Sequence, residues 1–247
     1  MDRIMTRFDE DLASLTSGMV EMTGLAATAI SRASFALLNG DLEMAESVIA
    51  DDERMDSWQW SLDDQIVVMM TKHGALGRDL RRLVSGLRVT ADLERMGDLA
   101  RHLAQVTRLK YPEPVVPEAV TRHISQMGEV AERIAFKTGD VLARHDARLA
   151  REVDRIDDEM DRLHRELFTV MLSTRWDEPV SVAIDVTLIG RFYERFADHA
   201  VNVANQVVYQ ITGEDPDRAS SPGTPGLGFP PGTGFPPAPG GPPAARS

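Results

Sequence analysis

Four pairs of acidic residues at four-residue spacing are the part of this sequence best suited to chemistry. The pairs are Asp52 with Asp56, Glu94 with Asp98, Asp157 with Asp161, and Glu194 with Asp198. In a helix, this spacing places both carboxylates on one face, where like charges cost roughly 0.2–0.5 kcal/mol. A structural role does not explain four such pairs. Oxygen clusters of this kind bind hard cations, with Mg²⁺, Ca²⁺, Mn²⁺ and iron as the candidates.

The same acids also fit a second interpretation, a solvated face neutralised by arginines. Arg95 and Arg101 lie three residues from Asp98, and Arg165 lies four residues from Asp161. Two histidines adjoin the pairs as well: His102 is four residues beyond Asp98, and His199 follows Asp198. Either histidine would serve as a metal ligand, as a proton shuttle or as an ordinary surface residue. Sequence alone leaves these alternatives open.

The acid pairs occupy corresponding positions of an internal repeat. An offset of 105 residues aligns Asp41 with Asp146, Ala45 with Ala150, Val48 with Val153, Asp52 with Asp157, Met55 with Met160, Asp56 with Asp161 and Leu62 with Leu167. An offset of 100 aligns Glu94 with Glu194, Arg95 with Arg195, Asp98 with Asp198 and Ala100 with Ala200. The difference of five falls in a turn, where changes in length are tolerated. A duplicated structural unit explains both offsets.

The elements that position these acids are predicted to be helices. Apolar residues recur at three- and four-residue spacing, which predicts helices at about 3–38, 41–71, 78–109, 118–144, 146–173 and 179–212. The fold class is therefore all-α, with two tandem three-helix bundles of long helices. Glu94 and Asp98 lie more than 90° around their helix from Leu93, Met96 and Ala100. We therefore expect a carboxylate surface or groove beside the core in each bundle.

Proline placement predicts the domain boundaries. Residues 1–110 form the first bundle, 111–117 a linker containing Pro112, Pro114 and Pro117, and 118–213 the second bundle. Residues 214–247 contain ten of the 14 prolines and seven of the 18 glycines, so they cannot supply a packed core. This tail is interpreted as disordered and solvated, with a docking segment for a proline-reading partner as the alternative.

Composition excludes several classes of protein. The chain has 27 basic and 39 acidic residues, a net charge of −12 and no cysteine. This acidity argues against nucleic acid as a partner, and the lack of cysteine excludes thiol catalysis and thiolate-bound metal. Neither a secretory signal nor an uninterrupted apolar span is visible, which predicts a cytoplasmic protein.

The residue inventory argues against an enzyme. No glycine-rich phosphate loop, nucleophile elbow or His-Glu-x-x-His motif occurs in the sequence. A carboxylate-bridged metal pair in a helical bundle can support oxygen chemistry. However, such sites usually include Glu-x-x-His motifs that face the bundle interior, and none adjoins these pairs. No catalytic or cofactor-binding residues are predicted.

Two motifs carry a resemblance to a known family. Residues 92–98 (DLERMGD) and 193–213 (YERFADHAVNVANQVVYQITG) closely resemble the PhoU family, the bacterial phosphate-specific transport accessory proteins. The resemblance covers residues 1–213. It implies metal on two surface sites, one with Asp52, Asp56, Glu94 and Asp98, the other with Asp157, Asp161, Glu194 and Asp198. Iron, manganese, magnesium or zinc are the implied ions. Ala197 replaces the glycine found at Gly97, and the tail matches nothing in the family core.

The resemblance also implies a function. PhoU proteins restrain phosphate uptake and the phosphate-starvation response by connecting the phosphate ABC transporter ATPase subunit with a sensor histidine kinase. It implies a homodimer that reaches the membrane only through these partners. A third possibility is a purely helical interaction protein whose acid pairs contact a basic partner surface directly.

Overall fold

The computed structural model describes residues 7–214, which form six α-helices and no strand. The helices are α1 (Arg7–Asn39), α2 (Leu42–His73), α3 (Arg78–Lys110), α4 (Glu118–Arg144), α5 (Ala147–Met171) and α6 (Val180–Thr212). These bounds lie close to the predicted ones. The predicted start at residue 3 and, apart from Glu214, the predicted disordered tail of residues 214–247 lie outside the described residues. No described helix is both long and apolar enough to cross a bilayer.

Matching capping residues begin the middle helix of each half. The Asp41 carboxylate accepts a hydrogen bond from the Met44 backbone N–H, and the Asp146 carboxylate accepts one from the Arg148 N–H. A carboxylate at this position satisfies backbone donors that the first turn of a helix leaves free. At the other end of α2, Gly74 adopts the left-handed conformation (φ +54°) that suits a helix stop.

The two halves pack side by side in antiparallel fashion. Helices α1–α3 contact one another, as do α4–α6, and the halves meet where α1 contacts α4 and α3 contacts α6. Along α1, Thr23 faces Gly139 of α4 and Ser34 faces Gly128, so the two helices run in opposite directions. The structure therefore has the predicted duplicated three-helix architecture.

A single continuous core runs through all six helices. An apolar stripe of α6 is buried from Val186 onward, since Ile189, Tyr193, Phe196 and Ala200 are fully buried. The Tyr193 hydroxyl lies 2.7 Å from the Ser34 hydroxyl, which joins α6 of one half to α1 of the other. The same stripe leaves the carboxylates of α6 at the margin of the core.

Candidate metal-binding faces

Each half presents its acid pairs on two adjacent helices. The first acidic face consists of Asp52 and Asp56 on α2 with Glu94 and Asp98 on α3. The second acidic face consists of Asp157 and Asp161 on α5 with Glu194 and Asp198 on α6.

Close helix packing brings the two pairs of the first face together. A Cβ on Gly97 would lie 3.0 Å from Met55, so α2 and α3 approach tightly between the acids. The Asp52 and Asp98 side chains are each only 14% exposed, whereas Asp56 is exposed. In the second face Asp157 and Glu194 are partly buried, and Asp161 and Asp198 are exposed. The acids therefore lie beside the core and not within it, as predicted.

Two arginines neutralise much of the first acidic face. Arg101 Nε lies 2.5 Å from Asp52 Oδ2, and the same guanidinium donates a hydrogen bond to Asp98. Arg95 donates to the other oxygen of Asp98 at 2.7 Å. The sequence suggested both contacts to Asp98, because a spacing of three permits them. It did not suggest that Arg101 reaches Asp52 on another helix.

The pKa values of the first face reflect a balance between burial and these arginines. Burial raises the pKa of Asp52, and the charge of Arg101 offsets part of that rise. Burial and the neighbouring Asp98 raise the pKa of Glu94. Burial would also raise the pKa of Asp98, but hydrogen bonds from Arg101 and Arg95 outweigh it and lower the pKa.

Basic side chains compensate less of the negative charge at the second acidic face. Burial, followed by repulsion from Asp161 and Asp198, raises the pKa of Asp157 to about 7. Burial and Asp198 also raise the pKa of Glu194, although Arg191 forms an ion pair with it. Among residues 7–214, no ion pair engages the carboxylates of Asp157, Asp161 or Asp198. The predicted partner Arg165 instead donates to the Asp161 backbone carbonyl at 3.1 Å.

Further acids and one histidine extend the second face. Asp154 and Asp158 both contribute to the raised pKa of Asp157. Burial lowers the pKa of His164, whereas the charges of Asp161 and Asp198 partly offset this. These residues were not among those predicted for the site. The signal was present, since Asp154 lies about one turn before Asp157 on α5, and Asp158 lies between Asp157 and Asp161.

The two histidines considered from sequence lie elsewhere. His199 Nδ1 is 2.9 Å from Asp92 Oδ1, so its polar contact joins α6 to α3 rather than to Asp198. His102 stacks against Phe192 with ring centroids 5.4 Å apart, and burial lowers its pKa. Both imidazoles therefore lie between the halves and pack there.

The donor chemistry of the two faces suits a cation to different degrees. No three or more His, Asp or Glu side chains within the described part of the chain form a preassembled metal site. The second face offers four carboxylates with little compensation, which is the donor set that hard cations prefer. The first face does not fit as well, because Arg101 already lies between Asp52 and Asp98. The metal assignment stays a prediction.

A duplicated three-helix unit with a carboxylate groove on each copy defines a class of all-helical tandem-bundle protein. The family model for the PhoU domain matches this chain twice, over residues 19–107 and 124–207. The phosphate-specific transport system accessory protein PhoU homolog 2 of Mycobacterium tuberculosis is 41% identical over 211 residues, which cover 85% of this chain and 99% of that protein. The PhoU homolog 1 of Mycobacterium leprae is 40% identical over 219 residues, covering 89% and 99%. The chain belongs to the PhoU family.

Solved structures agree with this assignment. The crystal structure of PhoU from Pseudomonas aeruginosa superimposes with a TM-score of 0.75 at 27% identity, covering 84% of this chain and 100% of that one. The phosphate transport system regulatory protein PhoU from Streptococcus pneumoniae gives a TM-score of 0.74 at 25% identity, covering 85% and 99%. The named homologues are accessory or regulatory proteins of phosphate transport, and their names describe no enzyme.

Proposed function

We propose that this chain is a negative regulator of phosphate uptake and of the phosphate-starvation response. It acts as a metal-binding adaptor between the phosphate ABC transporter ATPase subunit and a sensor histidine kinase. The observation that best supports this proposal is the pair of matching acidic faces on a chain that is 41% identical to a phosphate transport accessory protein. The adaptor operates in the cytoplasm as a homodimer and reaches the membrane through its partners.

Exposed apolar residues at repeated positions support an adaptor role. Leu80 and Val84 on α3 are each 38% exposed, and their counterparts Val180 and Ile184 on α6 are 77% and 56% exposed. Exposed apolar side chains that recur at equivalent positions are suited to contacts with other proteins. Each half therefore offers an apolar strip on the helix that also carries one of its acid pairs.

A pull-down from membranes tests the adaptor role. The tagged full-length chain is incubated with membranes from cells grown at high or low phosphate, and retained proteins are identified by mass spectrometry. We expect the transporter ATPase and the sensor kinase to be retained, with more retained at high phosphate. A double substitution of Leu80 and Val84 by Ser is the matched variant and should reduce capture. Retention of neither protein would contradict the adaptor role.

Elemental analysis tests the metal role separately. The chain is purified free of metal, reconstituted with iron, manganese, magnesium or zinc in turn, and desalted. At least one ion should remain bound, because a cation offsets the charge repulsion among Asp157, Asp161 and Asp198. If no ion binds but Glu194→Gln with Asp198→Asn still weakens partner capture, the acids contact the partner directly instead.

A further inference from the structure

The first acidic face contains a cation of its own. The Arg101 guanidinium contacts Asp52 on α2 through Nε and Asp98 on α3 through a terminal nitrogen. One side chain therefore spans the groove between the two helices. Its side chain is only 29% exposed, so this contact lies in the groove and not in bulk solvent. Arginine stays protonated under all ordinary conditions, which makes this positive charge permanent.

The second acidic face lacks such a residue. The offset of 100 that aligns the acids of α3 and α6 places Val201 at the position of Arg101. Arg195, the counterpart of Arg95, forms no ion pair with the acids of the second face in the part of the chain that the structure describes. Within residues 7–214, Arg191 forms its ion pair with Glu194, on its own helix. The carboxylates match between the halves, but the built-in cation does not.

A metal ion and this guanidinium compete for the same space and the same oxygens. A hard cation would need the lone pairs of Asp52 and Asp98 that already face Arg101. It would also lie within a few ångströms of a fixed positive charge in a partly desolvated groove. At an effective dielectric constant of about 20, such repulsion weakens binding by on the order of a hundredfold or more.

We infer that Arg101 takes the place of a metal cation at the first acidic face, so that this chain binds a hard divalent cation at the second face alone. The inference rests on the metal role proposed above and makes it specific to one half. Arg101 is then a determinant of where metal binds. The two halves differ in function although they share a fold.

Binding of Mn²⁺ alone to the full-length, metal-free chain tests this inference. Bound metal is measured by equilibrium dialysis with elemental analysis. In a chain that retains Arg101, the double substitution Glu194→Gln with Asp198→Asn should abolish Mn²⁺ binding. The double substitution Glu94→Gln with Asp98→Asn should leave Mn²⁺ binding unchanged. Arg101→Val copies the residue of the other half, and it should tighten binding at the first face by on the order of a hundredfold. That gain should disappear when Glu94→Gln and Asp98→Asn are added.

Thermal unfolding supplies a readout that does not depend on counting ions. Arg101→Val removes the ion pair of Asp52 and one of the two arginines that contact Asp98, so the metal-free variant should unfold at a lower temperature. Mn²⁺ should restore its stability, since a ligand bound only to the folded state stabilises that state. Arg101→Gln keeps a polar side chain but removes the positive charge. It should also unfold at a lower temperature without metal and regain stability with Mn²⁺. This second variant covers the case in which valine disturbs the fold.

The outcomes separate this inference from the proposed function. Binding at both faces of the unaltered chain would overturn the inference and leave the metal role intact. Failure of both Arg101 variants to gain Mn²⁺ at the first face would also overturn it. Absence of Mn²⁺ from the second face of the unaltered chain would contradict the proposed metal role and overturn the assignment of metal to that face. The Arg101 variants would then test separately whether Arg101 keeps metal from the first face.

Discussion

Corresponding carboxylates of the two halves experience different electrostatic surroundings. Asp52 lies 2.5 Å from Arg101, which compensates part of its charge. Its counterpart Asp157 is surrounded by other carboxylates and has a pKa of about 7. The same residue type at the same repeat position therefore has its charge compensated to a different degree. Neighbouring side chains, and not the repeat itself, set this property.

Replacing Asp157 by Asn should stabilise the metal-free protein at high pH. Because the pKa of Asp157 is higher in the folded state than in an unfolded chain, its ionisation opposes folding. The cost is absent below about pH 4 and develops as pH rises through 7. Solvent screening of this half-buried group reduces the gain to about 1 kcal/mol, or roughly 2–4 °C in Tm at pH 8.

Thermal melts in the presence of a chelator at pH 4.5 and pH 8 measure this effect. Asp52→Asn is the matched control, and it should give a smaller rise at pH 8 because Arg101 already offsets the charge of Asp52. An equal rise in Tm at both pH values, or a fall at pH 8, would show that repulsion does not govern Asp157.

Removing either of the two buried hydroxyls that meet between the halves should lower stability, but by different amounts. Ser34 donates to the Ile30 carbonyl at 2.7 Å, so the Tyr193 hydroxyl donates to Ser34. Tyr193→Phe leaves the Ser34 donor satisfied and should cost about 0.5–1.5 kcal/mol. Ser34→Ala leaves a tyrosine hydroxyl unpaired in the core and should cost about 1–3 kcal/mol. Urea unfolding measures both values, and a larger cost for Tyr193→Phe would contradict this assignment of donors.

At the scale of elements, small residues set the approach of α4 to α1. A Cβ on Gly139 would lie 2.6 Å from Thr23 Oγ1, and one on Gly128 would lie 2.8 Å from Ser34 Oγ. Real side chains do not tolerate such distances without movement. Both glycines are required by close packing, although their backbones are ordinary helix.

Replacing Gly139 by Ala should therefore destabilise the protein. The Cβ displaces the buried Thr23 or separates the helices, with an expected cost of about 1–3 kcal/mol. Gly24→Ala on α1 is the control, since nothing lies within 4 Å of the added atom. That change should stabilise the protein by up to about 1 kcal/mol, because alanine has a higher helix propensity than glycine. Chemical unfolding distinguishes the two, and equal effects would argue against close packing at Gly139.

The elements themselves were largely predictable, whereas contacts between them were not. Apolar spacing predicted the six helices, because burial of one side of a helix dictates that spacing. The acid pairs were placed correctly beside the core for the same reason. The contact from Arg101 to Asp52 was not predictable, since it depends on how closely α2 approaches α3. Likewise, nothing in the local pattern of α1 shows that Gly139 of α4 will face Thr23.

At the scale of the whole molecule, the two halves share one core. Ala26, Ala27, Ile30 and Ala33 of α1 are fully buried in a cluster that includes residues of α4. Ion pairs add to this interface, as Lys110 contacts Asp185 at 2.6 Å. A predicted boundary at residues 111–117 therefore separates two repeats of sequence, but a large apolar interface holds them together. Interfaces of that kind make the two parts unfold as one unit.

The first half alone should consequently fail to behave as a stable monomer. A fragment of residues 1–110 exposes the apolar side of α1 that α4 covers, so it should aggregate, self-associate or melt without cooperativity. The complete chain should show a single transition, with calorimetric and van't Hoff enthalpies that agree. Size-exclusion chromatography with light scattering and calorimetry compare the two. A monomeric fragment with a sharp transition of its own would show that each repeat is an independent domain, and that the shared core adds affinity between halves without being required for folding.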